Sequence, residues 1–215
     1  MSKEFIKRIL SSIILLPVFL FFVIKGSKYF LFLLIICLII SIFEWFKISK
    51  KSHFRYYGLI FLIFSFYTIY TFRINYNDYW TLLFIFVISI STDIGGYFFG
   101  KFFKGPRLTK FSPNKTYAGM IGAYILSLFS LFIFHYFNLI TNNSFLHSTI
   151  FVVLVSTISQ GGDIIVSYFK RISKIKDTGK IIPGHGGLLD RIDGMIFAFP
   201  FSYIIISLNF FKAPL

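Results

Sequence analysis

Residues 29–46 read YFLFLLIICLIISIFEWF, an unbroken apolar run with one charged side chain, Glu44, close to its end. It has the length, roughly 17–25 residues, that a helix needs to cross a bilayer. In hydrocarbon the backbone must satisfy its own hydrogen bonds, and a continuous rather than alternating apolar run does so as a helix. Similar runs mark the chain on both sides, so that spans are expected at about 9–24, 29–46, 56–72, 80–100, 116–137, 149–169 and 194–211. The first is short and carries Pro17, which a membrane helix tolerates with a kink. It resembles the apolar core of a signal peptide but lacks a small-residue cleavage site after it, and reads as a retained span. Tyr29, Tyr56, Tyr57, Tyr79 and Trp80 stand at span margins, as interface belts do. At 215 residues, 56% hydrophobic and 14% charged, the chain is too apolar for a soluble domain. The fold class expected is therefore all-α, a polytopic integral membrane bundle of about seven transmembrane helices.

The formal charge of +14 would suggest nucleic acid in a soluble protein. Here the positive-inside rule explains most of it, and no nucleic-acid partner is expected. Of the 22 Lys and Arg residues, only Lys25, Lys28, Arg73 and Lys212 fall on one side of the expected spans. The others gather at the N-terminus and in the second, fourth and sixth loops. That asymmetry places the N-terminus in the cytoplasm and turns loops 101–115 and 170–193 to the same side, where nucleotides are. Cys37, the single cysteine, lies inside an apolar run and can form no intrachain disulfide.

The eight carboxylates are few enough to weigh one at a time. Asp93 and Asp163 lie within spans, about two turns from the cytoplasmic end. An ionisable group at that depth is costly unless paired or hydrated, so both are functional candidates. Asp163, Ser167 and Lys170 recur at i, i+4 and i+7 on one helix face. Asp190 and Asp193, at i and i+3, share a face if the last helix begins there. The bland alternatives are a structural ion pair of Asp163 with Lys170 or Arg171, and of Asp93 with Lys101 or Lys104. Glu44 reads as an interfacial anchor or a partner for Lys47, and Glu4 and Asp78 as solvated surface.

Pro183-Gly-His185-Gly186-Gly187 forms a turn whose backbone N–H groups suit phosphate oxygens. His185 either donates to a phosphate or ties the loop in place. No second His or Cys lies near enough to complete a zinc site. Ser112-Pro113-Asn114-Lys115-Thr116 precedes a span, where a Ser or Thr caps a helix and its N-terminus attracts anions. Lys115 is then either a phosphate contact or an interfacial lysine beside a capped helix.

From Ser167 onward the charged residues fall into a longer pattern: Ser167, Lys170-Arg171, Lys176-Asp177, Pro183, His185-Gly186-Gly187 and Asp190-Arg191-x-Asp193. This pattern resembles the motif of the phosphatidate cytidylyltransferases, the CDP-diacylglycerol synthases, in order and spacing. Gln160-x-Gly162-Asp163, and Asp93 with Ser112-Pro113-x-Lys115-Thr116-x-x-Gly119, are similar to further segments of that family. The chain differs where the family often has Trp-Glu after Lys-Thr (here Tyr117-Ala118), Glu before the motif Ser (here Val166) and Ser at Gly194. Its N-terminal half is also shorter than the family's.

The resemblance implies CTP and phosphatidic acid reacting to CDP-diacylglycerol and pyrophosphate at a bacterial inner membrane, with the active site facing the cytoplasm. Two anionic substrates need cations to meet. Magnesium favours oxygen ligands, commonly one or two carboxylates plus substrate phosphates. The expected metal ligands are Asp163 and Asp190, with Asp193 second, and a second cation is allowed. Lys170 and Arg171 join these three aspartates as the catalytic set. Lys115, Ser167, Lys176, His185, Gly186, Gly187 and Arg191 are expected at phosphates, with Asp93 and Asp177 supporting. Residues 93–215 would form the catalytic region and 1–92 a transmembrane scaffold giving access to lipid. The resemblance alone also allows a homodimer. A CTP-dependent kinase or cytidylyltransferase acting on a polyprenyl lipid, an ion transporter, and a non-catalytic scaffold are the rival readings.

Overall fold

The computed structural model describes residues 16–50, 53–75, 79–109, 112, 115–140, 144–182 and 186–212. Glu4, Asp78, Pro113 and the start of the first expected span lie outside the described residues. The helices run in the order α1 (Leu16–Lys25), α2 (Ser27–Ile48), α3 (Arg55–Asn75), α4 (Trp80–Phe103), α5 (Tyr117–Tyr136), α6 (Phe145–Ile172), α7 (Leu189–Ile192) and α8 (Met195–Ser207). Five of them, α2 to α6, are long and apolar enough to cross a membrane. With the shorter apolar α1 and α8 they make up the expected seven-helix bundle. A shared core of Phe84 and Ile88 on α4, Leu131 on α5, Phe151 and Val155 on α6 and Phe199 on α8 sits at its centre.

Two packing devices position the charged loops. The α4–α5 crossing is made by small residues: a Cβ on Gly95 would collide with the Gly122 carbonyl, and one on Gly119 would stand 2.6 Å from the Gly96 carbonyl oxygen. In lipid, where apolar surface gains nothing by leaving the solvent, such close backbone approach is what holds helices together. Helix α6 is the second device. Its 28 residues rise about 42 Å at roughly 1.5 Å each, more than the ~30 Å hydrocarbon thickness. Its last turn, with Lys170 and Arg171, can therefore stand beyond the hydrocarbon, where the basic pair also suits the negative end of the helix dipole.

The last expected span, 194–211, is observed as the shorter α8 (Met195–Ser207). Helix α7 precedes it, and Asp193 and Gly194 between α7 and α8 both keep helical backbone angles (φ −57°, ψ −37° and φ −73°, ψ −40°). Gly194 passes so close to α6 that a Cβ there would meet the Ser159 hydroxyl and stand 3.0 Å from the Ser159 carbonyl oxygen. On the opposite flank the end of α2 docks on the end of α6. Trp45 meets Phe169 edge-on with ring centroids 4.9 Å apart, and the Ser173 hydroxyl donates to the Ile48 carbonyl.

Candidate active site

Helix α4 takes in 101–103 of the expected loop, and described residues on either side of the remainder are joined before α5. Arg107 and Thr116 form an isolated antiparallel bridge, the Leu108 N–H donates to the Lys115 carbonyl (2.7 Å) and the Tyr117 N–H to the Pro106 carbonyl (3.2 Å). The Thr116 side chain caps α5 by accepting from the Gly119 N–H (3.1 Å), as expected of that position. This geometry turns Lys115 towards α6, where its Nζ lies 2.6 Å from Asp163 Oδ2 and donates to the Gln160 carbonyl (3.2 Å). The Ser167 hydroxyl donates to Asp163 Oδ1 (3.3 Å), as the i, i+4 spacing requires. Lys170, one turn further, pairs with Asp190 Oδ1 at 2.9 Å.

Asp193 is a buried carboxylate, 6% exposed. It accepts from the Gly194 N–H (3.0 Å) and stands near the Asp163 carboxylate. Two carboxylates so placed repel each other unless a proton or a cation stands between them. Burial, then the charges of Asp163 and Asp93, push Asp193 well above the usual carboxylate range. Asp93 stays exposed on α4 and interacts electrostatically with Asp163, with Lys115 and Arg191 as counter-charges. Asp93, Lys115, Asp163, Lys170, Arg191 and Asp193 thus converge from α4, the loop before α5, α6 and α7 on one end of the bundle. Among the described residues no three His, Cys, Asp or Glu side chains stand close enough to enclose an ion by themselves.

Asp190 has different surroundings from Asp163, the residue expected to share a metal with it. Its Oδ2 accepts from the Thr178 N–H (2.8 Å), the Gly187 N–H (2.9 Å) and the Thr178 hydroxyl (3.1 Å), while Oδ1 holds Lys170. Burial alone would raise Asp190; the Lys170 ammonium and the N–H groups of Gly187 and Thr178 outweigh it and hold the carboxyl below its ordinary value. Gly186 beside it has φ +86°, and a Cβ there would stand 2.9 Å from Asp190 Oδ2, so both conformation and space call for glycine.

Glu44 departs from expectation. It is neither an interfacial anchor nor a partner of the exposed Lys47, but is 1% exposed. It accepts from the Thr178 hydroxyl (2.8 Å), the Leu188 N–H (3.1 Å) and the Leu189 N–H (2.8 Å). The signal was present: a carboxylate within an apolar run, the same criterion that singles out Asp93 and Asp163. Nothing in the sequence marks Thr178. Arg171 on α6, Lys176 and Asp177 in the loop and Arg191 on α7 are exposed, with Asp177 close to Gly186. Pro183, Gly184 and His185 lie outside the described residues, so Gly186 and Gly187 are what is described of the phosphate turn.

Comparison with known proteins gives the family. The profile of the cytidylyltransferase family matches residues 6–79 and 72–209. The chain is similar to the phosphatidate cytidylyltransferase of Haemophilus influenzae, 40% identical over 130 residues that make up 59% of this chain and 45% of that protein. It is 38% identical over 125 residues to the phosphatidate cytidylyltransferase of Brucella suis (58% of this chain, 46% of that protein). To that of Bacillus subtilis it is 36% identical over 143 residues (65% and 53%). The chain spans about half the length of these relatives.

Proposed function

The chain belongs to the cytidylyltransferase family, and we propose that it is a phosphatidate cytidylyltransferase, joining CMP from CTP to phosphatidic acid and releasing pyrophosphate. The observation that supports this most directly is the convergence of Asp93, Asp163 and Asp193 with Lys115, Lys170 and Arg191 at one end of a membrane bundle. Such a site suits two substrates that both carry phosphate, one of them held in the bilayer.

The donor set fits magnesium, which takes one or two carboxylates and completes its shell with water and phosphate oxygens. Asp163 and Asp193 would hold it, because they lie near each other and meet fewer donors than Asp190 does: Lys115 and Ser167 on Asp163, the Gly194 N–H on Asp193. Asp190, expected in that role, has its oxygens occupied by Lys170, Thr178 and Gly187 and would instead hold the loop. The ion supplies neutralisation of the phosphate charges as they approach and as pyrophosphate leaves.

The protein's own groups do the rest. Lys115 and Lys170, each already against a carboxylate, exchange part of that pairing for substrate phosphate, and Arg191 and the Gly186–Gly187 backbone reach the same anions. A phosphatidate oxygen, ionised near neutral pH, attacks the α-phosphorus of CTP. One P–O bond forms, the α–β P–O bond breaks, and its electron pair leaves with pyrophosphate, so no general base is required. Residues 93–215 carry these groups, and the active site faces the cytoplasm of a bacterial inner membrane; a homodimer is compatible with the reading.

The test uses purified protein in mixed micelles with phosphatidic acid, magnesium and α-labelled CTP. Label entering the lipid, dependent on both magnesium and phosphatidic acid, is expected. Asp163→Asn should lower that rate by at least about 100-fold. No lipid label from folded protein would overturn the reading, and release of CDP with γ-phosphate transfer would replace it with a lipid kinase.

A further inference from the structure

We propose that Glu44 of α2 is a positioning residue that clasps the loop bearing Asp190, Arg191 and Asp193 and so sets the site from the opposite half of the chain. A carboxylate buried in an apolar helix is costly unless its oxygens are filled by donors. Those of Glu44 are filled, and every donor belongs to the loop after α6 or the first residue of α7: the Thr178 hydroxyl and the Leu188 and Leu189 N–H groups. Trp45, Ile48, Leu62, Val166 and Leu189 form a small apolar cluster around this point. A leucine in place of Glu44 would suit that packing, so the charge serves the loop and not the helix.

The contact extends beyond the loop. The Thr178 hydroxyl has one proton and two carboxylate oxygens in reach, Glu44 Oε2 at 2.8 Å and Asp190 Oδ2 at 3.1 Å. Asp190 in turn holds Lys170 at 2.9 Å. A relay Glu44–Thr178–Asp190–Lys170 therefore joins α2, the loop, α7 and α6. Its fit is close: a Cβ on Gly179 or on Gly187 would collide with the Glu44 carboxylate. Glu44 reaches the charged groups assigned to substrate only through this relay, although it packs against Gly187. Its effect is to fix where α7 begins, and with it the directions of Asp190, Arg191 and Asp193. Displacing reacting groups by about an ångström is enough to cost a rate on the order of 100-fold.

Two readouts test this, one of them independent of turnover; the kinetic one rests on the cytidyl-transfer reading. The first is amide hydrogen exchange across residues 178–192 in the full-length protein in micelles. The second is steady-state transfer with CTP and phosphatidic acid varied separately. For Glu44→Gln, and separately for Thr178→Val, exchange at Leu188 and Leu189 should rise. The value of kcat should fall about 10- to 100-fold with both KM values within about threefold of wild type. Thr178→Ser, which keeps the hydroxyl, should retain wild-type kcat. Wild-type exchange in the folded variants would overturn the clasp, and so would a loss carried by KM with kcat unchanged. If Glu44→Gln does not fold, Thr178→Val decides by the same criteria. A wild type that labels no lipid sinks the transferase reading, whereas the exchange data still decide whether Glu44 orders the loop.

Discussion

Asp190 and Asp193 are three residues apart and meet opposite environments. Asp190 faces the Lys170 ammonium and the N–H groups of Thr178 and Gly187, whereas Asp193 faces the Asp163 carboxylate. Asp190→Asn should therefore weaken the fold as well as the reaction. It removes the charge opposite a nearly buried lysine and turns an amide NH2 towards one or other donor, a loss of about 1–3 kcal/mol. Because the folded protein holds Asp190 below its unfolded value of about 3.9, the stabilisation is fully present above that value and is lost as pH falls through the lowered one. In metal-free micelles the gap in melting temperature between wild type and variant should be constant from about pH 6 to pH 8 and close only below about pH 4. Equal melting temperatures at neutral pH would remove the Lys170 pairing from the account. At this scale much was legible. Charge inside an apolar run singled out Asp93 and Asp163, and helical spacing paired Asp163 with Ser167. The same charge criterion applied to Glu44 was outweighed by its nearness to Trp45 and Lys47, because local sequence cannot show that a loop more than a hundred residues away supplies the donors.

At the scale of elements, the site depends on α4 and α5 approaching as closely as their glycines permit, since α4 carries Asp93 and the segment leading into α5 carries Lys115. Gly95→Leu would drive a side chain into the Gly122 backbone, which cannot yield as a flexible side chain would. It should destabilise the protein by at least about 1–3 kcal/mol, and lipid labelling should fall with it as Lys115 moves from Asp163. Gly161→Ala is the matched control: a Cβ there meets nothing within 4 Å, so thermal unfolding and labelling should stay at or above wild type. If Gly95→Leu melts with the wild type, the close crossing is not a source of stability. Hydropathy marked both helices, and the glycines are plain in the sequence, but which glycines face one another follows from rotation about each helix axis. The i, i+3 spacing of Asp190 and Asp193 allowed a helix to begin there, and the backbone of Asp190-Arg191-x-Asp193 is helical; which partners the two carboxylates meet on α6 and in the loop the spacing does not show.

For the whole molecule, the charge asymmetry sets a direction that can be measured. In a Cys37→Ala background, Lys47→Cys at the end of α2 and Phe137→Cys beyond α5 place single exposed thiols at opposite ends of the bundle. A membrane-impermeant maleimide should label the Phe137→Cys protein in spheroplasts and the Lys47→Cys protein only after the inner face is opened; reversed labelling would overturn the orientation. The sequence by itself determined the all-helical membrane class, the approximate spans and the family, since each depends on composition, run length or a fixed spacing along the chain. Tertiary structure alone decided which charge meets which: Lys115 with Asp163, Lys170 with Asp190, Asp193 with Asp163, and Glu44 with Thr178, Leu188 and Leu189. The reason is physical. In a mostly apolar bundle each buried charge takes whatever donor or counter-charge the helix crossings bring to it, and those crossings are set by backbone contact between residues far apart in sequence.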